Sequence, residues 1–156
     1  MTQSIDPEVT PPEAPQLLLQ QIYLKDCSYE APAGPRIPTK EWSPQFSLNL
    51  NTSSSSVTAD VLEVVLTVRV EAKVADKVAY LVELKQAGLF QIRNCTQDHM
   101  KQIVATVCPT VLFPYARATC SDLIAQGGFP QFLLPPVNFE ALMDKQTSEA
   151  ANAIVN

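Results

Sequence analysis

The longest regular pattern in the chain runs from Val61 to Ile92. In its first half Leu62, Val64, Leu66, Val68, Val70, Ala72 and Val74 are apolar, while Glu63, Thr67, Arg69, Glu71 and Lys73 between them are polar and Val65 is the exception. Alternation with a period of two marks a strand with one buried face. After a short link at Ala75-Asp76-Lys77, a second run places Val78, Tyr80, Val82, Leu84 and Phe90 in one set. Ala79, Leu81, Glu83, Lys85 and Gln91 fall in the other. The two runs predict an antiparallel hairpin. Burying each Val or Leu of the even set is worth roughly 1.5–3 kcal/mol, so this stripe alone can anchor a core.

The flanking segments predict further strands and then helices. Leu17 to Tyr29 reads as a first strand whose faces are ambiguous: Ile22 and Leu24 point one way, Tyr23, Cys27 and Tyr29 the other. A bulge near Lys25, or burial of both faces at one end, accounts for this, and either is expected of a strand that pairs with another subunit. Pro32, Pro35, Pro38 and Pro44 make residues 31–44 an extended loop around the lone Trp42. Phe46, Leu48 and Leu50 alternate with Ser47, Asn49 and Asn51 as another strand, and Ser53 to Ser56 reads as a polar connection. Beyond Ile92 the period changes. Thr96 is a fitting N-cap, and Met100, Ile103, Val104 and Val107 follow at helical spacing. Pro109 and Pro114 predict a break or kink before a second helical run that ends at Gly127-Gly128. An apolar connection from Phe129 to Pro136 then needs cover. Asn138 caps a last helix presenting Phe139, Leu142 and Met143. The domain is expected over 16–146, between a disordered acidic, proline-rich tail at 1–15 and a frayed tail at 147–156. Four antiparallel strands followed by helices give an α+β fold.

Composition narrows the function by exclusion. A net charge of −5 over 156 residues lacks the basic face of a nucleic-acid binder. No window approaches the ~20 apolar residues of a membrane span, and the N-terminus does not read as a signal peptide. Cys27, Cys95, Cys108 and Cys120 form no C-x-x-C pair and are expected to be reduced, structural thiols. With His99 as the single histidine, no metal set is spaced along the chain. Neither a phosphate loop nor a nucleophile elbow is found. Pattern and composition therefore stop at a soluble, oligomeric α+β protein that is not an enzyme and takes no cofactor.

Specific blocks carry the reading further. Cys108-Pro109, Leu112-Phe113-Pro114-Tyr115-Ala116-Arg117, Gly128-Phe129-Pro130 and Pro136-Val137-Asn138-Phe139 resemble the SecB family of bacterial protein-export chaperones. Ile22-Tyr23, Lys25-Asp26, Tyr29-Glu30-Ala31-Pro32 and Val64-Val65-Leu66 add to the resemblance, which covers residues 17–143. It implies a Greek-key-like sheet with helices on one face, and a homotetramer built as a dimer of dimers through the first strands. It also implies a cytoplasmic, nucleotide-independent chaperone that binds unfolded precursors and passes them to the translocase motor SecA. By matching position, Asp26, Glu30, Leu81 and Glu83 would dock SecA. Trp42, Phe129 and Phe132 would border the client groove, and Tyr23, Cys27, Val82, Leu84 and Gln86 would bear on assembly.

Two other readings compete. One is a SecB-like chaperone dedicated to a toxin–antitoxin system. The other is an enzyme on a hot-dog-like scaffold, for which Glu41, Glu140 and His99 are the only candidate acids or bases.

Overall fold

The computed structural model describes residues 13–155. Its strands are β1 (Gln16–Glu30), β2 (Gln45–Ser56), β3 (Val61–Val74) and β4 (Lys77–Arg93), and its helices are α1 (Gln97–Gln126) and α2 (Phe139–Val155). The hairpin β3–β4 forms as its alternation predicts. Ala75 and Asp76 link it with φ of 48° and 64°, the conformation that a two-residue hairpin turn of matching twist requires. Alanine is a poor residue for that region, because its Cβ crowds the following carbonyl. Ala75→Asn should therefore stabilise the protein by roughly 0.5–1 kcal/mol. A urea midpoint that stays put or falls would contradict this.

The sheet has the order β1-β4-β3-β2, every neighbouring pair antiparallel. Three consecutive strands plus a first strand returned beside the last make the Greek-key arrangement. One face is sealed by α1: Val64, Leu66, Val68, Val70 and Ala72 of β3, with Tyr80, Val82, Leu84 and Phe90 of β4, have no exposed surface. Val78 departs from this set. Ala72 pairs with Tyr80 but Lys73 pairs with Val78, so Ala79 is an extra residue and Val78 lies on the outer side with Lys73.

Two bulges resolve the ambiguous faces of β1. The register shifts between Leu19 and Gln21 and again between Leu24 and Asp26, leaving Gln20 and Lys25 as the extra residues. Ile22, Leu24, Cys27 and Tyr29 all sit opposite inner residues of β4, whereas Tyr23 sits opposite Ala87 on the outer face. Tyr23 thus parts company with Cys27 and Tyr29, because the Lys25 bulge inverts the alternation between them.

Ser53 to Ser56 belongs to β2, not to a connection. The four serines pair with Val65, Val64, Glu63 and Leu62. An edge strand takes its hydrogen bonds from its neighbour, whatever its own apolar content.

The prolines do not divide α1, which runs unbroken for 30 residues, about 45 Å at helical rise. Pro109 is fully buried. Nearby, the Thr106 and Thr110 hydroxyls donate back to the carbonyls of Gln102 and Thr106 at 2.7 and 2.6 Å. Cys108, Leu112, Ala116, Cys120 and Ile124 are sealed against the sheet, so tertiary packing overrides the local preference. Burial holds the thiols of Cys108 and Cys120 in the neutral form, pushed up to about 12 and about 11. One window of α1 does reach a mean hydropathy of 1.3, contrary to expectation, but 44% of it is buried inside the protomer, as in a core helix.

Both ends of α1 follow the sequence. The Thr96 hydroxyl accepts from the His99 N–H at 3.2 Å. At the other end Phe129 N–H reaches the Ile124 carbonyl and Gly128 N–H reaches the Ala125 carbonyl, at 3.4 and 3.1 Å, with Gly128 at a φ of 83°. That is a Schellman stop, and the positive φ is the reason for glycine at 128. Gly127 is needed for room, since a Cβ there would lie 1.8 Å from the Tyr29 hydroxyl oxygen.

Asn138 Oδ1 accepts from the Ala141 N–H at 3.0 Å and caps α2. This helix continues to Val155, with residues 147–153 exposed along it. Most of the acidic tail expected at 1–15 falls outside the described residues. Its end is tied down, because Asn94 Nδ2 donates to Glu13 Oε2 at 3.1 Å and to the Ala14 carbonyl at 3.3 Å.

Candidate functional site

The Schellman stop aims Phe129 back at the inner face of the sheet. Its ring centre lies 5.3 Å from that of Tyr80 and 5.4 Å from that of Trp42, and Trp42 and Tyr80 stack at 6.4 Å. Tyr29 extends the group toward β1, its ring 6.3 Å from Tyr80. Trp42 reaches this place because Ile37, four-hundredths exposed, pins the proline loop to the core. The Tyr29 and Tyr80 hydroxyls are buried with no hydrogen-bond partner among the described residues. Desolvation raises the pKa of both phenols, so both stay neutral.

Three residues further on, Phe132 stacks on Phe46 of β2 at 4.2 Å, nearly parallel. Phe46 is 41% exposed, and Leu133, next to Phe132 in the chain, 63%. The apolar band continues along β2 into a groove of about 520 Å³ between that strand and α2, lined by Leu48, Leu50, Val137 and Leu142 among others. Buried aromatic anchors with an open apolar strip beside them suit an extended apolar ligand. Trp42 and Phe129 thus come together, while Phe132 joins a second pair. Tyr80, buried beneath the rings, belongs with Tyr29 and Phe46 to the same aromatic group, and none of the three was singled out from sequence. Tyr80 reads there only as one more member of the buried stripe. A tyrosine among valines is the one signal, since its hydroxyl needs a partner.

On the outer face the strand register sets Glu30, Leu81 and Glu71 side by side across β1, β4 and β3, with Ser28, Glu83 and Arg69 in the next row. Asp26 and Lys85 follow. The four residues assigned to motor docking therefore share one face and adjacent rows. Leu81 is an apolar position flanked by two carboxylates. Glu71, the second of these, is a member of the patch that sequence reading passed over, although it stands opposite Leu81 in the hairpin. Arg69 Nη1 comes within 4.0 Å of Glu83 and Lys73 Nζ within 3.2 Å of Glu71, exposed pairs of little energetic weight.

Residues 10–150 match the family model described as preprotein translocase subunit SecB. The chain belongs to the SecB family. Proteins named protein-export protein SecB from Methylobacillus flagellatus and Hahella chejuensis are 44% and 43% identical to it, over 90% and 91% of this chain and 90% and 92% of theirs. Among solved structures, a SecB-like chaperone of Mycobacterium tuberculosis, in complex with a ChAD peptide from the HigA1 antitoxin, superposes with a TM-score of 0.68. It covers 78% of this chain and 91% of its own at 17% identity, which speaks to the fold. As a SecB chaperone, the protein serves preprotein export.

The residues expected from the resemblance to bear on assembly occupy three settings. Val82 and Leu84 are sealed inside the protomer beneath α1. Gln86 is almost as deep, and its Nε2 donates to the Tyr23 carbonyl at 3.1 Å, tying β4 to β1. Cys27 is half-buried on the inner side of β1. Tyr23 lies outside, its phenol donating to Glu63, whose other oxygen takes Lys25 Nζ at 2.5 Å. Desolvation, then the bond to Glu63 and its charge, push the Tyr23 pKa up to about 12, while Lys25 chiefly and then Tyr23 pull Glu63 down. Glu41, Glu140 and His99, the candidates for an enzymatic role, stand exposed on the proline loop, the first turn of α2 and the first turn of α1.

Proposed function

We propose that this SecB-family chain acts as a cytoplasmic tetramer that holds unfolded precursors along the aromatic strip and hands them to SecA through the outer face of the sheet. The observation that carries this reading is the division of β4 between its two sides. Tyr80 faces inward to Trp42 and Phe129, while Leu81 faces outward between Glu30 and Glu71, with Glu83 in the next row. Tyr80 thus backs the rings of Trp42 and Phe129 from beneath, while the outward residues of the same strand stay free for a motor. A neutral aromatic strip needs no nucleotide, only preference for the unfolded chain. Assembly is supported by β1, a fifteen-residue edge strand with Leu17, Leu19 and Leu24 exposed on its inner side. Such an edge is a template for pairing with a second copy. Val107 and Tyr115, exposed on α1, offer the packing surface between pairs.

The double change Leu81→Arg, Glu83→Arg tests the separation of surfaces. Motor binding should weaken at least about tenfold, since basic groups replace an apolar and an acidic contact. Affinity for an unfolded client should stay within about twofold. Calorimetry with SecA and with a permanently unfolded chain reads both. Equal loss in the two assays would refute the division, and a monomer in native mass spectrometry would refute the assembly.

A further inference from the structure

The connection between α1 and α2 is fastened to α1 at regular steps. Gln131 Nε2 donates to Ser121 Oγ at 2.6 Å, and Arg117 Nε donates to the Leu134 carbonyl at 3.0 Å. Phe139 meets the Phe113 ring edge-on at 5.9 Å. Phe113, Arg117 and Ser121 follow at intervals of four residues, hence on one stripe of the helix, each about 6 Å from the next. The connection therefore runs antiparallel to α1, held turn by turn. Among the described residues, the main chain from Pro130 to Val137 enters no backbone–backbone hydrogen bond. Its tie to the rest of the protein is the Arg117 guanidinium, which is itself fixed over the Phe113 ring at 5.0 Å. On either side of that tie the side chains diverge: Leu134 is buried, Leu133 stands out in solvent, and Phe132 lies on Phe46.

We propose that Arg117 is a positioning residue for client binding, which clamps this connection in the extended form that presents Phe132 and Leu133 beside Phe46. It acts through the connection and touches no client. The inference rests on the reading of the aromatic strip as the client surface. Its physical basis is preorganisation. A segment with three prolines and no ladder of its own is held by side chains, and a loose segment would lose ordering entropy on each client it met.

The test uses the full chain and reduced, carboxymethylated α-lactalbumin as a permanently unfolded probe. Arg117→Met keeps the stem over Phe113 but removes the donor to Leu134. Chymotrypsin cleavage mapped between 129 and 137 should accelerate about tenfold, and probe affinity should fall by about the same factor, the equivalent of one lost charged hydrogen bond. Native mass should hold steady and the thermal midpoint should fall by no more than about 6 °C, and Arg117→Lys, which can still reach a carbonyl, should recover most of both losses. Faster cleavage with probe affinity within twofold of the parent would overturn the positioning role. Unchanged cleavage would overturn the clamp. Should Arg117→Met not fold, Gln131→Leu, which removes the neighbouring tie, is judged by the same two readouts. A parent that fails to hold the probe overturns the reading of the aromatic strip instead, an outcome distinct from a variant that binds as the parent does.

Discussion

Gly88→Val is expected to cost more stability than any other single exchange in the sheet. Gly88 lies on the inner face of β4, opposite Ile22 on β1 and Val64 on β3, beneath Leu112 of α1. A Cβ there would stand 2.8 Å from the Phe90 ring, 3.0 Å from Leu112 and 3.3 Å from the Gln21 carbonyl. Phe90 and Leu112 are both fully buried, so neither can swing into solvent. The alanine alone should cost about 1–3 kcal/mol as an overpacking defect, and valine adds two methyl groups in the same place. Set against a typical stability of about 5–15 kcal/mol, the valine variant should lift α1 from the sheet and populate unfolded chain at ordinary temperature. Urea unfolding followed by far-ultraviolet dichroism measures this. A Gly88→Ala protein within about 0.5 kcal/mol of the parent would show that the helix has slack over this point.

The second large effect is expected at Phe129, and it separates two residues that sequence reasoning grouped together. Phe129 is 7% exposed and contacts both Trp42 and Tyr80, so Phe129→Ala should remove about 3–5 kcal/mol by opening a cavity among the rings. It should also release Trp42 and weaken client binding as a consequence. Phe132 rests on Phe46 at the rim, and both retain exposed surface. Phe132→Ala should therefore lower client affinity while leaving the unfolding midpoint within about 1 kcal/mol of the parent. Denaturation and binding titrations on the two variants give the comparison directly. If Phe132→Ala proved the more destabilising of the two, the assignment of anchor and rim would be reversed.

How much of this was visible in the sequence depended on whether the information was local. The stripe from Leu62 to Ala72 announces a buried strand face because every second residue is apolar, and the structure buries it from Val64 onward, with Leu62 half-buried at its end. Bulges are not local in that sense. Ala79 and Lys25 look like ordinary members of their strands, yet each reverses the sidedness of what lies beyond, which misplaced Val78 and Tyr23. Ser53 to Ser56 becomes strand only because β3 offers partners. Pro109 stays helical only because the sheet holds it down. The outward residues Leu81 and Glu83 follow from alternation, but their meeting with Asp26 and Glu30 depends on a β1 register set by the two bulges, and their link to a motor came from family resemblance. The roles of Gly88 and Arg117 are written in neighbours that lie far away along the chain, Leu112 for the one and Leu134 for the other.

Trp42 is the only tryptophan in the chain, and it stacks on Tyr80, with Tyr29 one ring further. Light absorbed by those two phenols can pass to the indole over so short a path, so emission from the folded protein should come largely from one ring at the mouth of the strip. The chaperone thus carries a built-in optical reporter, with donors in its core and its emitter at the place where a client would lie.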